Sequence, residues 1–468
     1  MLVIIKLGCQ IQKILVKSNQ NMNFSFKKKF YFILIFFFLI IVFFISLNLL
    51  VKSFYFRNLT THDQKIFIKK FLLPWKGKED RANKNFYLEK LNNEINFKKS
   101  LKKIKFKEKS LIKLENNLKL EKYTYLSGFE TGIDNNFPGS GYIDFHENNF
   151  IVLSSRGILG FGQLGNSKFS LKQIENDIDK FIGRSQFEKH KRFSIKDLKI
   201  HNNKIFVSYT DEIKNNCWNI SVIYSDFNFS KINFKKLFSP KKCIHSIYNE
   251  DNEFNAMQSG GRIIGIDNEN IILSTGEFRS RYLAQNLQSV NGKLIKINIT
   301  NSNYEIISIG HRNVQGLLYD KDENYILFTE HGPAGGDEIN LLNLDENKLN
   351  NFGWPIASYG YHYSDKLDIS RNNKYPFLKS HSLYGFIEPL KYFTPSIGPS
   401  EIIKIDKKSY VFSCLACKSI FFFEINKQNK IQNIFKIKIG ERIRDMIFKE
   451  KKIYLFLEDT ASIGIIKL

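Results

Sequence analysis

The chain has 468 residues and a formal net charge of +24, but that charge is unevenly placed. Residues 1–122 carry 26 Lys and Arg against 8 Asp and Glu, so +18 lies there and only +6 in the remaining three-quarters. A basic folded face for nucleic acid is excluded by that distribution, and 43% hydrophobic with 15% aromatic residues excludes an intrinsically disordered chain.

In chain order, the first predicted element is an apolar helix. Residues 30–51 hold no charge, and about 20 apolar residues span a bilayer core. Lys27, Lys28 and Lys29 precede them and residues 1–29 contain no acid, which sets residues 1–29 in the cytoplasm and the rest outside it. A cleaved signal peptide is the rival. Its apolar region is about 7–15 residues with small residues at the cleavage site, which Ser46-Leu47-Asn48 matches poorly. The expectation is an uncleaved inner-membrane anchor over 30–51 with a periplasmic or otherwise extracytoplasmic remainder. Met22 is an alternative start. Residues 52–122, rich in Lys and Asn, read as a basic stalk without chemistry of its own.

Four of five cysteines follow the apolar segment, where an oxidising compartment permits disulfides. Cys217 and Cys243 can pair if they sit on neighbouring strands. Cys414-x-x-Cys417 lacks a second CxxC, and positions i and i+3 of a regular strand face opposite sides, so closure there needs a bulge.

Beyond residue 122 a unit recurs: a polar turn followed by about four apolar residues. Its strands begin at Phe150, Ile205, Ile271, Tyr325, Tyr410 and Ile453, at spacings of 55, 66, 54, 85 and 43. Blades of four strands need roughly 40–50 residues, so six units predict an all-β, six-bladed β-propeller over 123–468. A β-sandwich of about 100 residues does not explain six copies. The spacing of 85 predicts a long insertion over one face.

Glycine and polar residues are densest between Gly310 and Pro355. The runs are Gly310-His-Arg-Asn-Val-Gln315, Glu330-His-Gly-Pro-Ala-Gly-Gly-Asp-Glu-Ile-Asn340 and Asn351-Phe-Gly-Trp-Pro355. Such loops allow close backbone approach, and their carbonyls suit a hard cation such as calcium. His311, His331 and Arg312 supply a candidate base and an anion clamp. The bland reading is that these residues only fix turns between strands.

These runs resemble the signature of the pyrroloquinoline quinone (PQQ)-dependent sugar dehydrogenases, the soluble glucose dehydrogenase and aldose/sorbosone dehydrogenase enzymes. Ser259-Gly-Gly-Arg262 with Gly292-Lys293, Pro395-Ser-Ile-Gly-Pro-Ser400 and Gly440-Glu-Arg-Ile-Arg-Asp445 extend the resemblance over about 125–468. It implies a six-bladed propeller that carries the quinone at its central end. It further implies Ca²⁺ on the backbone carbonyls of Gly332 and Pro333, and a structural calcium ligand at Glu338. Arg312 and Asn313 match positions facing cofactor or substrate, and Arg442 and Arg444 match arginines that hold the cofactor's carboxylates.

Two positions depart from the pattern. The family's basic His aligns with Gln258, whose amide cannot take a proton near neutral pH. The cofactor-binding Lys aligns with Ala416, with Lys418 two residues on; His331 is the alternative base. Two functions are therefore expected. One is a membrane-anchored sugar dehydrogenase that oxidises a sugar hydroxyl by hydride transfer to PQQ, its electron acceptor unspecified. The other is a catalytically degenerate propeller that binds a glycan, an envelope component or a protein. A propeller lactonase or metal hydrolase ranks last, because no side-chain ligand set from several blades stands out.

Overall fold

The structure is a computed structural model that describes residues 24–52, 74–131, 139–164, 170–251, 253–345, 348–363 and 369–468. The chain divides into two units, Met1–Asn85 and Phe86–Leu468. In the first, helix α1 (Phe24–Lys52) covers the expected anchor, and Phe32, Phe36, Phe37 and Phe38 on it are exposed. Among the described residues no helix is long and apolar enough to cross a membrane. The transmembrane span read from the sequence is therefore not established by the fold. Residues 1–23 of the expected cytoplasmic segment 1–29, with Met22, and stalk residues 53–73 lie outside the described residues.

Among the described residues the second unit is built from six sheets, antiparallel except for two short parallel pairings. Blade 1 comprises Gly141–His146, Asn149–Ser154, Leu159–Gly162 and Ser170–Asn176. The inner strands of blades 2 to 6 are Ile195–His201, Gly260–Gly265, Val314–Asp320, Pro399–Asp406 and Ile443–Lys449. The six apolar runs read from the sequence are the second strands of the blades, from Asn149–Ser154 to Lys452–Leu457.

Their continuous apolarity has a physical cause. Successive strand residues face opposite sides of a sheet, and here a neighbouring blade covers each side. In the second strand of blade 2, Ile205 and Val207 join a cluster with Ile151 and Leu153 of blade 1. Phe206 joins one with Ile271 and Leu273 of blade 3. The same alternation runs round the ring: Tyr325 and Leu327 pack with Tyr410 of blade 5, while Tyr454 and Phe456 pack with Phe150 and Val152 of blade 1.

The strand that closes the ring starts within the segment that the sequence reading gave to the stalk. Lys119–Thr124 pairs with Ser462–Lys467 of blade 6 in the register Tyr123↔Ile463, and Glu108–Lys113 adds outside it. Ile104–Lys105 extends blade 1. In helix α2 (Pro74–Ser100), Tyr87 and Leu91 are buried in the cluster between blades 1 and 2. The boundary at 122/123 is thus displaced: residues 86–122 belong to the propeller's compact unit. A Lys-rich strand such as Lys119–Thr124 hides this, because only Leu120, Tyr123 and Thr124 of it are buried.

At the centre, Arg262 on the inner strand of blade 3 reaches every other blade. Its Nη1 meets Asp197 at 2.9 Å (blade 2), Glu401 at 3.0 Å (blade 5) and Asp445 at 2.7 Å (blade 6). Its Nε donates to the Gln315 carbonyl of blade 4 at 2.7 Å, and its plane lies 5.4 Å from the ring centre of Tyr142 in blade 1. Burial raises Asp197 and Glu401 above the usual carboxylate range, and the guanidinium pulls both back.

Removing one member of a buried ion cluster strands the others at a cost of about 3–5 kcal/mol. Arg262→Met is expected to lose that much stability in urea unfolding. A chain starting at residue 123 is expected to be insoluble or to melt far below one starting at Phe86, because it lacks the closing strands. Equal melting temperatures for the two would show that the ring closes without them.

Candidate functional site

A cavity of about 470 Å³ opens over the central end of the propeller. Gln258, Arg312, Asn313, Gly332, Arg442 and Arg444, all singled out from the sequence, line it. Among the described residues, six arginines and Lys196 line this cavity, while Asp337 is the one lining carboxylate. Three of those arginines are partly neutralised from behind: Arg262 by its acids, and Arg442 and Arg444 by Glu458. The Glu458 carboxylate accepts from Arg442 Nε at 3.0 Å and from Arg444 Nη2 at 3.1 Å. Burial opposes ionisation of Glu458, but Arg444 and Arg442 outweigh it and hold its pKa below the ordinary value. One carboxylate shared by two guanidiniums leaves positive charge facing the cavity.

The turn carrying Arg312 and Asn313 is fixed by Glu330, whose carboxylate accepts from both backbone N–H groups and lies 3.2 Å from His311 Nδ1. Arg312 donates to the His331 carbonyl at 2.8 Å and stacks 5.3 Å from the Trp354 ring centre. The Asn313 amide oxygen accepts from Gly260 N–H at 3.0 Å, which ties blade 4 to the turn behind Gln258.

Gln258 is held rigidly. In the amide orientation that satisfies both neighbours, its nitrogen donates to Glu277 Oε1 at 2.7 Å and its oxygen accepts from Arg312 Nη2 at 2.8 Å. Glu277 is wholly buried. Burial pushes its pKa up to about 7, against the pull of Arg312 and Arg281. His331 donates from Nε2 to the Pro399 carbonyl at 2.6 Å, leaving Nδ1 as a lone pair 3.5 Å from the Asn313 amide nitrogen. Burial lowers its pKa, so near neutral pH the ring is uncharged and can accept a proton.

Loop Gly332–Gly336 is cinched by Asp337. One carboxylate oxygen accepts from Gly332 N–H at 2.9 Å, and the other accepts from Ile397 and Gly398 N–H, each at 2.7 Å. Gly335 and Gly336 have φ of 85° and 68°, a region that only glycine enters cheaply. The Pro333 carbonyl accepts from the Ser396 hydroxyl at 3.2 Å, and Pro333 lines a small side cavity with Gln258 and Arg312 rather than the main one. Glu338 also lies apart. It is buried beside Glu330 and His381, accepts from Asn340 at 3.0 Å, and burial with the Glu330 charge raises its pKa. Among the described residues no group of three or more His, Cys, Asp or Glu is placed to hold a metal ion. A cation at Gly332 and Pro333 would rest on carbonyl oxygens.

Both cysteine pairs are bonded, Cys217–Cys243 and Cys414–Cys417. The second closes because Cys414 ends one strand and Cys417 sits in the turn before the next, which begins at Ser419. Leu415 and Ala416 between them form part of the cavity wall. The insertion in blade 4 reaches the same place through Tyr363.

The sequence model of the glucose/sorbosone dehydrogenase family matches residues 196–467, more than half of the chain. The chain belongs to that family. This family member is 30% identical over 217 residues to an uncharacterized protein of Synechocystis sp., covering 40% of this chain and 50% of that protein. It is 28% identical over 231 residues to the aldose sugar dehydrogenase YliI of Escherichia coli, covering 45% and 59%. It thus spans about half the length of the curated relatives it matches. Among solved structures, a glucose dehydrogenase superposes with a TM-score of 0.58 at 20% identity, over 74% of this chain and 99% of that one. The soluble aldose sugar dehydrogenase of Escherichia coli superposes at 0.55 and 22% identity, again over 74% and 99%. These likenesses carry the propeller fold.

Sequence reasoning missed Glu277 and Lys196. Neither lies in a recognisable motif, and Glu277 meets Gln258, and Lys196 the Ala256 carbonyl, only through the fold. A testable consequence follows for Glu277. Its folded pKa lies above the unfolded value, so its contribution is fully present below about pH 4.5 and is lost as pH rises toward 7. Glu277→Gln is therefore expected to gain on the wild type between pH 5 and 8, approaching about 3 kcal/mol in urea unfolding. A difference independent of pH would show that Glu277 ionises normally.

Proposed function

We propose that this family member is a membrane-anchored PQQ-dependent sugar dehydrogenase. The observation that carries the reading is the cation excess of the central cavity, which suits a ligand bearing several carboxylates. Arg442 and Arg444 would hold those carboxylates through their guanidinium forks. The carbonyls of Gly332 and Pro333 would hold Ca²⁺, and Glu338 a second, structural cation away from the cavity. The chemistry such a quinone supplies when bound is acceptance of a hydride from the hydroxyl-bearing carbon of a sugar.

The chain's own part is positioning and proton removal. Arg312, fixed by the His331 carbonyl, would orient the sugar oxygen. Gln258 cannot accept the proton, whereas His331 presents an unprotonated Nδ1 on the same wall. The anchor rests on the uncharged run within α1, with the propeller in an oxidising, extracytoplasmic compartment that suits the Cys217–Cys243 bond.

A second reading, a propeller that binds without turnover, is favoured by the locked Gln258 bridge and by the alanine at 416. Titration with PQQ plus Ca²⁺, following quinone absorbance and then its bleaching by aldoses, separates the two. Binding with bleaching is expected for the dehydrogenase; binding without bleaching would establish the second reading, and no binding would overturn the first. Gln258→His places an imidazole beside Glu277 and is expected to raise aldose oxidation by about 10²–10⁴-fold if the missing base limits the rate. His331→Asn should abolish the residual wild-type rate.

A further inference from the structure

The cavity retains arginines but has an alanine where the family resemblance expects a lysine. Lys418, two residues on, does not replace it: its ammonium pairs with Asp459 at 2.7 Å, and it is not part of the cavity wall. Among the described residues that line the cavity, the one lysine is Lys196, on the inner strand of blade 2. Its neighbour Asp197 faces the other way, to Arg262.

Lys196 is built in rather than draped over the surface. Its Nζ donates to the carbonyls of Arg192 at 2.9 Å and Ala256 at 3.4 Å, and no carboxylate among the described residues pairs with it. An ammonium has three donors, so the third is left for the cavity. Its charged neighbours are Arg444, Arg156 and Arg192, and burial together with these cations lowers its pKa to about 7. A cation set among cations is relieved only by an anion entering from the open side.

We propose that Lys196 supplies the ammonium that binds a carboxylate of the cavity's ligand, in place of a lysine at position 416. The proposal rests on the reading of the cavity as an anion site. The carboxylate can belong to the quinone or to an acidic sugar such as a uronate, and the test separates them.

Calorimetric titration of the full-length protein in detergent would use PQQ with Ca²⁺, glucuronate, and glucose as the uncharged control. Lys196→Met, which keeps the stem, is expected to weaken PQQ binding about ten- to hundred-fold. Lys196→Arg should stay within a few-fold of wild type, and Ala416→Lys should restore Lys196→Met. If only glucuronate binding depends on Lys196, the carboxylate is the sugar's and the proposal stands. If wild type binds no PQQ yet glucuronate binding needs Lys196, the quinone reading fails and Lys196 remains the anion ligand. If Lys196→Met binds both anions as wild type does, the proposal is overturned while the quinone reading survives. Binding of neither anion by wild type overturns both. Independently of any variant, PQQ or glucuronate should protect Lys196 of the wild type from acetic anhydride, read by peptide mass spectrometry. Lack of protection by a bound anion would equally overturn the assignment.

Discussion

The propeller turns on one guanidinium. Arg262 joins carboxylates from blades 2, 5 and 6, a carbonyl from blade 4 and an aromatic face from blade 1. The same carboxylates also hold backbone: Asp197 accepts from Ile263 N–H in blade 3, and Asp445 from Ile143 N–H in blade 1, each at 2.7 Å. A ring of sheets packed only through apolar faces could slide, because hydrophobic contact is not directional. Directional bonds to a single central group set the rotation of each blade and so aim the inner strands' ends at the cavity. Lys196, Gly260, Arg312 and Arg444 all depend on that aim, lying on or beside the same strands.

The architecture was legible where burial makes sequence monotonous. Each second strand is covered on both faces, so its residues must be apolar in succession, as Ile-Phe-Val at 205–207 and Ile-Leu-Phe at 326–328 are. Strands open to water carry no such mark, which is why Glu108–Lys113, exposed on both faces, and the first part of Lys119–Thr124 read as stalk. The site was legible where it depends on backbone chemistry. The glycines of the 332–336 loop announce themselves by type and spacing, whereas the arginines at 442 and 444 stand out through the family resemblance. Glu277 and Lys196 do not, since their importance comes from partners 19 residues away or on other blades. Cys414–Cys417 closes through the departure from a regular strand that its spacing requires, a turn between two strands.

The cavity shows two tendencies in one wall. Its arginines and Lys196 give it an excess of positive charge beside the loop that Asp337 cinches. Gln258, clasped between Glu277 and Arg312, is a group that has both hydrogen-bonding ends committed. An amide there is electrically neutral across the pH range, so it steadies Arg312 without competing for protons.

Closure of the ring by Lys119–Thr124 on Ser462–Lys467 also governs how the molecule comes into being. Those partners are separated by nearly the whole propeller, and joining such distant segments makes folding slow. During synthesis Lys119–Thr124 emerges long before its mate, so its free edge stays unpaired and open to unwanted strand pairing until the last residues arrive. Glu108–Lys113 and Lys119–Thr124 both carry lysines, the residues that most oppose pairing along an open edge. They keep an unmatched edge soluble and discourage a second chain from completing the circle first.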